Sequence, residues 1–382
     1  MPGVPVSQAG AGTHSTMNIA IDVHSLGTQA GGNETFYRQL LRGLAADRTA
    51  NRYSLLHTHP FDLPAIEHDR RFTLHKIPHN PALRLGVSIP RFLRATKPDI
   101  FHCQYIQPLW GNRKTVVTIH DLAFEHFPEF FHPLETLRLN KLVRWTAMKA
   151  DHVLTVSEFS AADISRRYNL PPDKITVAYQ SPSAEFRPRD KQQCLDHLVR
   201  TYDIRPPFIL YVGRIQARKN LPRLVEAYAR LKKDGLAATL VFVGRQDWQA
   251  EQLRVKIKAL GLESFVKFTG FVPFEDVPLF YNAAELFVFP SLFEGFGLPV
   301  MESMASGIPT ITSYGSALEE VAGDAALLVD PCDTASIASA LEKVLSDRNL
   351  RERLVSRGLQ RAGQFRPEDL VNKTLGIYRA VA

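Results

Sequence analysis

Along this chain, short runs of β-branched and aromatic residues alternate with longer segments whose apolar positions recur every three or four residues. That alternation predicts parallel strands joined by crossover helices. A strand covered on both faces reads as a short continuous apolar run, whereas a helix lying on the sheet is apolar along one stripe. In the first half, NIAIDVH (18–24), YSLLHT (53–58), FTLHKI (72–77), DIFHC (99–103), TVVTIH (115–120), HVLTVS (152–157) and ITVAY (175–179) read as strands. A polar stretch over 181–207 interrupts the pattern, which restarts at FILYVG (208–213), TLVFVG (239–244), VKFTG (266–270), LFVFP (286–290), TITS (310–313) and ALLVD (326–330).

The fold this predicts is α/β, with two facing Rossmann-like doubly wound domains and an interdomain cleft. The N-terminal domain spans 17–190 and the C-terminal domain 191–365, with a disordered tail before them (1–16) and a final helix (366–382) packing back on the N-terminal domain. In such sheets ligands bind beyond the carboxyl ends of the strands, so loops that follow strands line the cleft. A length of 382 residues supports two cores.

Composition narrows the class. With 45% hydrophobic and 22% charged residues the chain is globular rather than disordered or fibrous. No apolar run approaches the roughly 18 residues of a membrane-spanning helix, and the opening residues lack the basic and apolar parts of a secretory signal. Cys103, Cys194 and Cys332 have no paired spacing, which argues against a disulfide framework or zinc site and for a cytoplasmic setting. The net charge is +7, and residues 1–190 hold 22 Lys and Arg against 17 Asp and Glu, an excess suited to an anionic ligand or a membrane surface. The basic residues are scattered and no groove- or strand-reading motif is present, so nucleic acid is not an expected partner. The histidine pairs His57/His59 and His75/His79 form no convincing metal set.

The clearest chemistry follows LFVFP, in SLFEGFGLPVMESMASGIP (291–309). Glu294 precedes Gly295 and Gly297, Pro299 stands where a helix opens, and Gly307 marks its end. The amides of Gly297 and Leu298 at that helix N-terminus favour a phosphate through hydrogen bonds and the helix dipole. Glu302 is expected in the first turn of this helix. Two carboxylates beside a phosphate repel the ligand unless hydroxyl groups engage them, and a sugar nucleotide supplies both a ribose diol and sugar hydroxyls. The strand FILYVG leads into GRIQARKN, where Arg214 and Lys219 combine a planar fork with a point charge able to neutralise a diphosphate leaving group. Glu294 and Lys219 are both expected to border a solvent-lined cleft. In the first half, TVVTIH ends at His120, placed to bond a reacting sugar or to share a proton with Asp121. Gly31 and Gly32 precede a helix and offer bare amides near the same cleft.

These residues resemble the retaining glycosyltransferases of family 4, which have the GT-B fold. The resemblance is carried in order by AGGNETFYRQLLRGL, TIHDLAF, TVSEFSAADI, VGRIQARKN, the run from FTGFVPFEDVPLFYNAAELFVFPS to FEGFGLPVMESMASGIP, and EEVAGDAALLVDP. Within it EGFGLPVME matches the E-x7-E motif. The resemblance implies that Glu294 touches the donor sugar, Glu302 the ribose, and Arg214 and Lys219 the diphosphate, with Gly213, Gly295, Phe296 and the amides of Gly297 and Leu298 assisting. It further implies that Val272 meets the base, His120 the transferred sugar, and Gly31 and Gly32 the donor phosphates or the acceptor. On this pattern transfer proceeds with retention and needs neither a metal nor a cofactor. The wording is similar to that of bacterial O-antigen and exopolysaccharide mannosyltransferases, which implies GDP-mannose as donor and a glycan or lipid-linked acceptor. One departure is Gln180-Ser181-Pro182-Ser183, where many members have a Pro-Asn-Gly-Val-Asp-like turn. Residues 84–97, with Arg84, Arg91, Arg94 and Lys97 among apolar neighbours, are a candidate for peripheral contact with the inner face of the membrane.

Three other readings share the architecture: a GT-B-fold epimerase, a phosphorylase, and a sugar-nucleotide-binding protein without turnover. A nicotinamide-dependent oxidoreductase is disfavoured, because neither half shows G-x-G-x-x-G after a strand.

Overall fold

Every apolar run identified above forms a strand, and the strands assemble into two wholly parallel sheets. The computed structural model describes residues 16–28, 31–111, 113–246 and 250–382; the tail expected over 1–16 lies, apart from Thr16, outside the described residues. The first sheet contains β1 (Asn18–Asp22), β2 (Arg52–His57), β3 (Phe72–Lys76), β4 (Ile100–Gln104), β5 (Lys114–Thr118), β6 (His152–Thr155) and β7 (Ile175–Val177), in the order β3-β2-β1-β4-β5-β6-β7. The second contains β8 (Phe208–Val212), β9 (Thr239–Val243), β10 (Val266–Gly270), β11 (Leu286–Phe289), β12 (Thr310–Ser313) and β13 (Leu327–Val329), in the order β10-β9-β8-β11-β12-β13.

Several strands stop short of their apolar runs. β1 ends at Asp22 and β5 at Thr118, so His24 and His120 fall in loops at the carboxyl edge, while β4 runs on to Gln104. Strand order reverses between β1 and β4 in the first sheet and between β8 and β11 in the second. Adjacent loops diverge at such points and leave a crevice.

Alternating side chains divide each strand between two apolar layers. In the first sheet Ala20, Phe101, Cys103, Val117 and Val153 face one way and meet Ile89 and Leu93 of helix Ile89–Thr96, Val143 and Ala147 of helix Pro133–Lys149, and Ile164 of helix Glu158–Tyr168. Ile19, Ile21, Ile100 and Val116 face the other way, toward helix Gly32–Ala46 and the C-terminal helix Pro367–Val381. Among the described residues no helix is long and apolar enough to cross a membrane.

The C-terminal helix follows the second domain in sequence yet packs on the first. Its Tyr378 hydroxyl is 2.6 Å from Nδ1 of the fully buried His102, whose Nε2 is 2.7 Å from Thr118 Oγ1. Lys373 Nζ donates to the Val177 carbonyl at 2.7 Å. Gly43 allows the closest approach: a Cβ built there would lie 2.0 Å from Val371 Cγ2.

Two effects therefore compete at Gly43. An alanine adds helix propensity of about 1 kcal/mol, but it drives a methyl into a β-branched side chain that cannot swing away, an overpacking cost of about 1–3 kcal/mol. Gly43→Ala is expected to lower stability in urea unfolding, and Gly43→Ala combined with Val371→Ala to recover part of that loss. A stabilised single variant would show that the helix contact is looser than its geometry.

Candidate active site

The loop after β11 is folded by its glycines. Gly297 has φ 106° and forms the N-cap of helix Leu298–Ala305, with Pro299 in the first turn. A Cβ on Gly297 would lie 2.4 Å from Leu318 Cδ2. Among the described residues, the amides of Gly297 and Leu298 donate no hydrogen bond within the protein, as is usual for the first amides of a helix. Glu302 is the fifth residue of this helix rather than part of its first turn, because the helix opens at Leu298, one residue before the proline expected at its first position.

Glu294 heads a buried charge cluster. Its Oε1 is 2.5 Å from Lys219 Nζ and accepts from Ser291 Oγ at 2.5 Å, and its Oε2 is 3.1 Å from Arg218 Nη1. The expected solvent-lined position is corrected here, since Glu294 is 8% and Lys219 9% exposed. Burial alone raises the Glu294 pKa, but the guanidinium and ammonium outweigh it and hold the carboxyl at about 2. Burial wins at Lys219, assisted by repulsion from Arg218, and brings it to about 8 despite the Glu294 charge. Lys219 also lies 4.9 Å from the centre of the Phe289 ring. Two cations against one carboxylate leave a positive charge that Asp121, across the cleft and acting more weakly than Glu294, only reduces. Such a site is matched to an anion.

Arg218 is the member that sequence reasoning missed. It lies in the turn Ala217–Lys219 after β8, donates to the Phe293 carbonyl, and fixes the Glu294 loop through its own carbonyl, which accepts from Leu292 N at 2.9 Å. Its signal was adjacency to Lys219. Arg214, by contrast, is exposed at the start of the same loop. Asn220 closes the turn at φ 60° and ties three strand ends together, donating from Nδ2 to Pro290 O at 3.1 Å and Pro331 O at 2.6 Å.

The remaining candidates of the second domain surround this cluster. Glu302 Oε2 accepts from the Tyr281 hydroxyl at 3.0 Å, and burial raises its carboxyl to about 7 against that bond. Val272 is buried at 5% exposure. Gly213 has φ 149° and sits so close to the loop after β9 that a Cβ on Gly244 would lie 2.2 Å from Gly213 O. Gly295 is where the two domains nearly touch: a Cβ there would lie 2.4 Å from His120 O. Phe296 is buried against Tyr179 and Phe365.

On the first domain, His120 is 7% exposed, and burial depresses its pKa to about 3. Its ring partner is not Asp121. Nε2 lies 3.0 Å from Gln104 Nε2, while Asp121 Oδ1 accepts from the Ala123 amide at 3.0 Å. Gly31, at φ 64°, caps helix Gly32–Ala46, and a Cβ on either Gly31 or Gly32 would meet nothing within 4 Å. The departing turn is tied to this same helix, with Gln39 Nε2 donating to Ser181 O at 2.7 Å.

The domains are clasped around the cluster. Ser157 Oγ donates to Gly295 O at 2.7 Å, and Ser160 Oγ lies 3.3 Å from the same carbonyl. Glu320 accepts from the Glu158 and Phe159 amides at 2.9 and 2.8 Å, placing a carboxylate at the N-terminus of helix Glu158–Tyr168. In the basic segment 84–97, Arg84 turns inward to the buried Asp22, 3.9 Å away, whereas Arg91 and Arg94 are exposed beside Val87 and Trp110, and Lys97 is exposed next to Arg113 and Lys114. Arg84 is therefore removed from the candidate surface.

Comparison with known proteins agrees with this geometry. Residues 201–361 match the family described as Glycosyl transferases group 1, and residues 30–181 match Glycosyltransferase Family 4. The O-antigen chain mannosyltransferase B of Escherichia coli is 34% identical over 75% of this chain and 76% of its own. The serotype-specific mannosyltransferase WbdA of Escherichia coli is 30% identical over 66% of this chain, which spans only 32% of that longer protein. In fold, the sucrose-phosphate synthase of Thermosynechococcus elongatus superposes with a TM-score of 0.78 at 23% identity, covering 96% of this chain and 99% of its own.

Two predictions follow from the buried charges. Glu294→Gln leaves Lys219 and Arg218 buried without their counter-charge and is expected to lower stability by about 2–4 kcal/mol in denaturant unfolding; an unchanged midpoint would deny the cluster a structural role. Glu302 binds its proton more tightly folded than unfolded, so ionising it costs stability as pH rises from about 4.5 to about 7. Glu302→Gln removes that cost and is expected to gain about 1–3 kcal/mol over the parent at pH 8, an advantage lost near pH 4.5. A pH-independent difference would contradict the raised carboxyl.

Proposed function

The chain belongs to the group 1 and family 4 glycosyltransferases, and from that premise we propose that it transfers mannose from GDP-mannose, with retention, to a hydroxyl of a glycan or lipid-linked acceptor. The observation that carries this reading is the cluster of Glu294, Lys219 and Arg218 at the switch point of the second sheet, facing His120 across the cleft. Similarity to the O-antigen chain mannosyltransferase B favours mannose over other sugars and an O-antigen-type glycan as acceptor.

In this reading the diphosphate lies between Lys219, Arg214 and the free amides of Gly297 and Leu298. These cations and amides take up the negative charge that grows on the leaving group as the bond from the sugar anomeric carbon breaks. They supply this without requiring a metal. Glu294, already ionised, accepts hydrogen bonds from sugar hydroxyls, and Arg218 holds it in place. Glu302 receives the ribose diol, with Tyr281 fixing its far oxygen, and the backbone at Val272 meets the base. The acceptor hydroxyl approaches the face that the diphosphate leaves and passes its proton to the departing diphosphate oxygen as the new bond to the anomeric carbon forms, so the configuration is kept without a protein nucleophile. Gly31 and Gly32 close over the phosphates or the acceptor from the first domain. The exposed Arg91 and Arg94 beside Val87 and Trp110, together with the exposed Lys97, would hold the protein peripherally at the inner face of a membrane carrying the acceptor.

The test combines binding and turnover. GDP and GDP-mannose are expected to raise the melting temperature by several degrees, since a ligand held only by the native state stabilises it, and UDP-sugars to do so far less. Lys219→Ala is expected to lose about 100-fold or more in transfer rate, with the product of the parent enzyme showing the donor's anomeric configuration by NMR. A response to UDP alone overturns the donor; inversion overturns the mechanism; silence from every nucleotide overturns the site.

A further inference from the structure

We infer that Gln104 fixes the protonation pattern of His120, holding the imidazole with its single proton on Nδ1 and thereby as a hydrogen-bond donor to an oxygen entering the cleft. Gln104 is the last residue of β4, buried at the switch point of the first sheet. Its amide nitrogen lies 3.2 Å from the Asn33 carbonyl and 3.0 Å from His120 Nε2, and its amide oxygen accepts from Ser25 Oγ at 3.3 Å. A carbonyl can only accept, so the Asn33 contact sets the orientation of the amide; the reverse orientation would place two acceptors against each other. The second N–H of Gln104 then points at His120 Nε2, which must be the bare, accepting nitrogen.

The proton is left on Nδ1, which has no hydrogen-bond partner among the described residues and is not one of the sealed, unpartnered atoms. Charging the ring is opposed twice: an Nε2–H would confront the Gln104 amide hydrogens, and burial independently disfavours the cation. The residue after Gln104 braces the same loop. Tyr105 adopts φ 58°, a left-handed conformation rare for an aromatic residue, and its ring lies 5.8 Å from that of His120. Phe36 also packs edge-on against the His120 ring, with centroids 5.0 Å apart. Gln104 is thus a positioning residue that acts through His120. What the Nδ1 proton meets rests on the sugar-transfer reading; its location does not.

The deciding measurement is a long-range 1H–15N correlation spectrum of the histidine rings in the ligand-free, full-length protein at neutral pH, with His120 assigned by its loss in His120→Asn. A protonated Nδ1 and an unprotonated Nε2 are expected, with Gln104→Leu moving the ring toward the Nε2–H form. In mannosyl transfer, Gln104→Leu is expected to lower kcat about 10- to 100-fold while the donor KM moves much less, as misdirected positioning does. An Nε2-bound proton in the parent protein overturns the proposal whether or not the variant folds, and so does an Nδ1–H form that persists in Gln104→Leu. Absence of mannosyl transfer in the parent protein would instead count against the donor reading, because the tautomer is read without a donor.

Discussion

Burying charge is the constraint on which the rest of this site depends. Glu294, Lys219 and Arg218 lie where water is largely excluded, and each would be unstable there alone. They persist because they neutralise one another in part. The residual positive charge then turns a structural necessity into a recognition device, since an anion completes what the protein leaves unbalanced. The glycines on either side let backbone come close enough to make the cluster compact: Gly297 against Leu318, and Gly295 against the carbonyl of His120.

The same loop holds the two domains together. Gly295 lends its carbonyl to Ser157 and its missing side chain to the approach of His120, so Glu294 is positioned by the second domain and enclosed by the first. Glu320 adds a charged clasp at a helix N-terminus of the first domain, and Phe293 packs among His126, Phe127 and Phe159. Closing the cleft and assembling the site are therefore one event in physical terms. Opening it would expose an aromatic contact and loosen hydrogen bonds that have partners only in the closed arrangement.

Much of the fold was legible because parallel strands buried on both faces leave continuous apolar runs, and all of those runs became strands. The loop after β11 was legible for a related reason: a carboxylate, two glycines and a proline at a helix start have few structural uses. Arg218 was not legible, because an arginine beside a lysine in a loop reads the same whether it turns inward or into solvent. Gln104 was missed because its role depends on the carbonyl of Asn33 and the ring of His120, both distant in sequence. Arg84 misled in the opposite direction. Its apolar surroundings suggested a surface stripe, but Asp22 draws it inside. Pairings between distant elements decide all three, and no local pattern encodes them.

The C-terminal helix has a consequence for how the chain is made. The partner that Tyr378 meets, His102, was synthesised 276 residues earlier. While the ribosome builds the whole second domain, the first sheet waits with one apolar face incompletely covered and a buried-type histidine lacking its hydroxyl partner. The first domain cannot reach its final state as an independent nascent unit. Its completion is deferred until the second domain has emerged, which couples the two in folding order as well as in chemistry.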